Sequence, residues 1–398
     1  MKKADKTLKT EYMTLNFGPQ HPATHGTLRI ALELEGETIR NASPEIGFLH
    51  SGFEKLGEQR TYNQFIPITD RMNYLSAPNN NIGFSIAVEK LLDIEVPLRC
   101  QYLRVIFAEL GRIADHLVSI GMQAVDIGAF TIFLYGFKER ERIYDLFELA
   151  CGSRMTTSLT RVGGLYRDIP DGFKDNLFDF LKHIYVTIDD IDRILTKNMI
   201  WIDRTRGISD ISKEDAISWG LTGPCLRATG MDWDLRKKEP YSSYDHFNFE
   251  IPVGENGDVY DRYLVRMEEM RQSTKIIYQA IENLPGGPIA ADKAKIVLPP
   301  KEELHKSMEA MIHHFMLIMP DHGMRPPEGE IYSATESPNG ELGFYIVSDG
   351  SNKPYRIHVR SPSLINYSIF PHIMKGGMIS DIVAVLGSLN IIAGELDR

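Results

Sequence analysis

Two histidines four residues apart, His21 and His25, stand in the run FGPQHPATHG (17–26). On a helix that spacing would make a metal pair, but Pro19, Pro22 and Gly26 forbid regular helix. The prolines instead point to a stiff loop between strands. Such a loop can hold an imidazole rigidly, and imidazole is the side chain best able to exchange a proton near neutral pH. Taken alone, a loop histidine is more often structural than functional, so both readings stay open. The second group is DRMNY (70–74), in an aperiodic stretch between Pro67 and Pro78. Tyr74 there either donates a hydrogen bond to a ligand carbonyl or satisfies its own hydroxyl in the core. The third is Asp126, expected just after a long helix and among apolar residues, where a carboxylate needs a partner.

Other chemistries are excluded by what is missing. His116, His305 and the pair His313-His314 lie in helical patterns without a carboxylate or cysteine at ligand spacing, and read as structural. Cys100, Cys151 and Cys225 are far apart and form no CxxC, so neither a disulfide framework nor an iron–sulfur or zinc site is expected. No GxGxxG, GxxxxGK[ST] or GxSxG run is present. The 44 Lys and Arg against 54 Asp and Glu give a net charge of -10, which argues against a general nucleic-acid binder. Apolar blocks such as 129–137 and 315–319 fall short of the roughly 20 residues of a membrane span. Residues 1–12 carry Lys2, Lys3, Lys6 and Lys9 with no apolar run behind them, so a secretory signal is not expected and the chain reads as cytosolic.

The elements that must position these residues follow from periodicity. Residues 27–34, TLRIALEL, alternate as a strand, and Gly36 then suggests a hairpin. Helical spacing runs from Ile82 to Pro97, again through Leu103 to Leu117, and from about 129 to 149. A fourth long amphipathic helix is read over 173–199, a short one capped by Ser212, and two more over 259–283 and 301–319. Strand character at 341–347 and 355–359 flanks the turn-rich residues 349–352, and a last short helix is read at 378–386. The expected fold class is mainly α with a β-rich N-terminal flank and a mixed C-terminal part. Its regions are 1–80, a β-rich part with site loops; 81–320, a central helical core; and 321–398, an α+β part.

Taken together, FGPQHPATHG, IGFLHSGFEKLGEQRTY (46–62), DRMNY, AVEKLL (87–92), FKERERIYDLFE (137–148), GLTGPCLRATG (220–230), GELGFYIVSDG (340–350) and the tail GELDR closely resemble the D, or 49-kDa, subunit family of respiratory complex I. The resemblance spans residues 13–398. It implies a fold similar to the large subunit of nickel–iron hydrogenases, with a quinone headgroup near the old metal site. The two CxxC pairs of hydrogenases would fall on Asn73 and Ser76, and on Ile392 and Glu395, so the thiolates a nickel site requires are absent. The resemblance further implies that His25 and Tyr74 hydrogen-bond the two headgroup carbonyls, and that Asp126 pairs with His25 and favours its charged form. Quinone would be substrate, no cofactor or metal would be held by this chain, and the 4Fe-4S cluster would belong to the neighbouring B subunit. Arg71 and Arg154 are candidates to face that cluster, with surface ion pairing the equal alternative. Implied partners are the B, C and I subunits and the membrane-embedded H subunit, at the cytoplasmic side of the bacterial inner membrane, with quinone reduction coupled to proton translocation.

Two departures from the family pattern stand out: Asn73 where many members have Asp, and Thr156 where many have a histidine thought to face the cluster. Losing that histidine would suit a lower-potential quinone such as menaquinone. Two other readings remain open on sequence. One is the equivalent subunit of a ferredoxin- or F420H2-driven quinone oxidoreductase, and the other is a non-catalytic docking scaffold.

Overall fold

Alternating apolar residues and a two-residue turn make the first layer. Strands β1 (Tyr12–Phe17), β2 (Arg29–Glu35) and β3 (Thr38–Glu45) form an antiparallel sheet in that order, with Ile30, Leu32 and Leu34 buried on one face. The hairpin read from Gly36 is present, with Glu35 opposite Thr38. The structure, a computed structural model, describes residues 12–319 and 321–398, and most of the basic N-terminal run therefore lies outside the described residues.

Two short helices follow, α1 (Phe53–Gln59) and α2 (Tyr62–Thr69), so the N-terminal flank is less purely β than its sequence pattern suggested. Thr61 and Gln64 close a capping box at the start of α2. Helices α3 (Ala77–Leu91), α4 (Leu98–Ile127), α5 (Phe130–Cys151) and α6 (Phe173–Leu195) lie where helical spacing is read in the sequence. One boundary is corrected: α4 runs through Asp126 and ends at the left-handed Gly128, so Asp126 sits in its last turn rather than after it. Helix 259–283 is found as Val259–Glu282. The helix read over 301–319 begins only at Met308, where the Ser307 side chain caps it. The last predicted helix is shifted to Ile382–Leu389, because residues 379–381 form a tighter 3₁₀ turn. The C-terminal strands Gly329–Ser337, Gly340–Ser348 and Arg356–Arg360 form a second antiparallel sheet.

The apolar faces meet in three main clusters. The largest joins α4, α5, α6 and the Val259–Glu282 helix; the second lies between the first sheet and the C-terminal helices; the third joins α1–α3 to the C-terminal sheet. Helix α4 is buried on nearly every side, charged residues included, and most of these charges are paired. Arg104 binds Glu89 through two short contacts of 2.6 and 2.7 Å. Glu109 accepts from Arg112, Arg236, Tyr244 and Ser273, while Arg227 bridges Glu269 and Glu336. His116 Nε2 lies 2.7 Å from Glu269, in keeping with the structural role read for it.

Candidate functional site

The loop after β1 resolves the histidine pair. His21 caps a 3₁₀ turn at Pro22–Thr24, its Nδ1 accepting from Ala23 N at 3.1 Å, and its ring lies 4.2 Å from that of Phe17. His21 is thus occupied in holding the loop. His25 closes the same turn in the left-handed region at φ +53°, a conformation that costs a non-glycine residue of the order of 1 kcal/mol and is tolerated where surroundings enforce it. No described residue hydrogen-bonds its imidazole.

Tyr74 is placed by a polar clamp that only folding reveals. Asp115 on α4 accepts from Asn73 Nδ2 at 3.0 Å and from Asn390 Nδ2 at 2.7 Å, joining the DRMNY loop to the C-terminal segment. Asn80 Nδ2 donates to the Asn73 carbonyl at 3.0 Å and fixes the same loop from α3. An amide at position 73 suits this place because its NH₂ can donate to an Asp115 carboxyl oxygen. Gly394 closes the contact: a Cβ there would lie 2.5 Å from the Arg71 carbonyl oxygen and 2.7 Å from that of Met72. Gly394→Ala is therefore expected to displace Tyr74 and to cost roughly 1–3 kcal/mol of stability. A structure of the variant and a denaturant melt would check this, and an unmoved Tyr74 ring would refute it.

His25, Tyr74 and Asp126 come from three distant segments and line one cavity of about 520 Å³. Its wall is otherwise largely apolar, built from side chains such as Leu28, Leu75, Val118, Met122 and Ile392, with Arg140 and Asn390 as further polar groups. An apolar hollow with a few convergent polar groups is the usual form of a small-molecule site. A larger hollow of about 690 Å³ near Glu89 and Tyr241 offers less, since its Arg104 is already spent on Glu89.

The electrostatics depart from the expected pairing. Burial pushes the Asp126 carboxyl up to about 6, and burial pushes the His25 imidazole below its ordinary value. The two line the same cavity, but among the described residues no hydrogen bond or ion pair joins them, so nothing in this geometry has Asp126 holding the imidazole charged. The Tyr74 hydroxyl is pushed up by burial and by the Asp115 charge, with Arg140 acting against both. The imidazole, the phenol and the carboxyl thus line the cavity without hydrogen-bond partners among the described residues.

Arg71 is exposed, while Arg154 is exposed and engaged with Glu141 and, at 3.8 Å, with Asp145. Neither lines the cavity. Among the described residues no group of three or more His, Cys, Asp or Glu is arranged to hold a metal ion. Glu395 is buried, accepts from Ser363 N at 2.9 Å, and is pushed up to about 7 by burial. Sequence reasoning assigned no role to Asp115, Arg140, Asn390 or Gly394; Arg140 and Gly394 lie in runs that carry the family resemblance, whereas Asp115 and Asn390 showed no signal beyond helical periodicity or nearness to the chain end.

A protein family described as the 49-kDa subunit of respiratory-chain NADH dehydrogenase matches residues 126–398, more than half of the chain. This chain belongs to that family. Full-length relatives agree: the D subunit of the NADH-quinone oxidoreductase of Geotalea uraniireducens is 53% identical, covering 98% of this chain and 99% of the relative. The D subunit from Geobacter sulfurreducens is 51% identical over the same shares. The relative from Bdellovibrio bacteriovorus, named as a combined C/D subunit, is 52% identical over 98% of this chain and 70% of its own length. The chain is accordingly a subunit of the NADH-quinone oxidoreductase complex. Among the described residues no helix is long and apolar enough to cross a membrane.

Proposed function

We propose that the cavity lined by His25, Tyr74 and Asp126 receives a quinone headgroup and that this chain, with the neighbouring B subunit, forms the quinone-reduction site of the complex. The observation that carries the reading is the convergence of these three groups on one largely apolar hollow. Reducing a quinone to a quinol takes two electrons and two protons. The electrons come from a 4Fe-4S cluster on the B subunit, and the protons are passed at the two headgroup oxygens by His25 and Tyr74. Negative charge grows on those oxygens as electrons arrive, and preplaced donors stabilise it before handing over their protons. Tyr74, a poor acid towards water, is suited to a strongly basic reduced oxygen. Asp126 is a proton store behind the imidazole, and its change of charge starts the coupling to proton translocation.

The meeting of Gly394 with the 71–74 loop brings positions 73 and 392–395 together, as a relationship to the hydrogenase large subunit requires. The C and I subunits and the membrane-embedded H subunit are the further partners in this reading, at the cytoplasmic face of the membrane. The combined C/D relative supports the first of them.

A structure of the assembled complex with a bound quinone analogue tests the proposal, and a headgroup seen far from His25 and Tyr74 would overturn it. A pH profile tests the role of Asp126. Its carboxyl keeps its proton up to about pH 6 and loses it above, so quinone reductase turnover should bend near that value. Asp126→Asn, which cannot titrate, should remove the bend and lower turnover; an unchanged profile, turnover and proton stoichiometry would sink the assignment.

A further inference from the structure

The segment Lys138–Arg142 reads KERER, and its charges are paired with one exception. Glu139 lies 3.5 Å from Arg142 and 4.0 Å from Lys138, Arg142 also binds Asp179, and Glu141 binds Arg154. Arg140 is only 7% exposed, yet among the described residues no carboxylate lies within 4.0 Å of it, and its Nε is buried without a hydrogen-bond partner. A buried guanidinium in that state is costly unless something else engages it.

Its surroundings show how it is held. The guanidinium carbon lies 5.2 Å from the Phe137 ring centroid and 4.7 Å from that of Tyr144, one turn to either side on α5. These two rings hold the group in place through cation–π contact, and its Nε stays unpartnered. Arg140 lines the same cavity as Tyr74, and its charge acts on the Tyr74 hydroxyl.

We infer that Arg140 is the fixed cation that pairs with the headgroup oxygen made negative during reduction, and that the cavity consequently prefers ionised hydroxyquinones over neutral quinones of the same ring. This rests on the quinone reading of the cavity. Arg140 neither gives nor takes a proton. The electrons arrive from the cluster of the B subunit, the protons come from His25 and Tyr74, and Arg140 holds the oxygen in the interval between the two. Its pairing also orients the headgroup, because a guanidinium donates in a planar fork. Asp126, the carboxyl group on the cavity wall, cannot substitute for it, being of the wrong sign when ionised.

The test uses the assembled membrane-bound complex and two competitors of quinone reduction: a hydroxynaphthoquinone that is ionised at neutral pH, and its neutral methyl ether. The wild-type complex should bind the anion more tightly by roughly 10- to 100-fold, the value of one charge-assisted hydrogen bond. Arg140→Gln should abolish that preference while leaving the ether's inhibition within a few-fold, and Arg140→Lys should retain part of it. A wild-type complex without preference, or a preference unaltered in Arg140→Gln, overturns the inference, and the first of these needs no variant to assemble. If His25→Ala and Tyr74→Phe shift inhibition by both competitors while Arg140→Gln leaves their ratio alone, the quinone site stands and only the role of Arg140 falls. If none of the three substitutions changes inhibition by either competitor, the quinone site falls with it.

Discussion

Replacing Glu109 by alanine is expected to lower stability by about 3–5 kcal/mol, the loss that follows when one partner of a buried ion network is removed. Glu109 is fully buried in α4 and accepts from two guanidinium groups, a phenol and a hydroxyl, with Tyr244 and Ser273 each at 2.6 Å. Without it, Arg112 keeps its bonds to the carbonyls of Glu336 and Ser337, but Arg236 retains only Asp234 as an ionic partner. Burial alone would raise the Glu109 carboxyl, and the Arg112 and Arg236 charges more than offset this, holding it below the usual carboxylate range. The sign follows: its contribution is present above the ordinary carboxylate pKa and is lost as pH falls through the depressed value. The unfolding midpoint of the subunit within the complex, measured at neutral and acid pH, checks this. A variant that melts like the wild type at neutral pH would show the network to be energetically idle.

The second large effect concerns chemistry. His25→Ala and Tyr74→Phe should each reduce NADH-driven quinone reduction by roughly 10²–10⁴-fold, the usual contribution of a positioned proton donor. NADH oxidation with an artificial acceptor that draws electrons upstream of the quinone should continue, because neither residue takes part in that step. His21→Ala should behave differently. Its ring caps the loop, so its loss acts through the placement of His25 and should raise the KM for quinone more than it lowers kcat. A docking scaffold would tolerate all three changes once assembled, and full quinone turnover in both His25→Ala and Tyr74→Phe would establish that reading.

Much of this is legible before folding. The alternation at 27–34 announces β2, the helical stripe over 173–199 announces α6, and the prolines of 17–26 rule out a helical metal pair. The likeness to a family names the three cavity residues, and the structure brings them to one cavity. What the sequence hides is mostly long-range. Asp115 looks like any helix residue until Asn73 and Asn390, separated by more than three hundred positions, both reach it. Arg140 looks like one more charge on a solvated face, since no local pattern shows that Glu139 and Arg140, of five consecutive charged residues, are the two turned inward. The expected contact between His25 and Asp126 is missing for a similar reason: a shared cavity does not require touching side chains.

One consequence of the long α4 helix concerns how genetic lesions in this subunit should be interpreted. The same rod carries the core charges Glu109 and Arg112, the clamp residue Asp115, and then the cavity side chains Val118, Met122 and Asp126. A screen scored only by respiratory growth would therefore map an unbroken stripe of damaging positions along it and suggest a single functional track. Two unrelated causes would be superimposed there, one lowering the amount of assembled enzyme and the other slowing each molecule. Normalising turnover to the quantity of intact complex would split the stripe near Asp115.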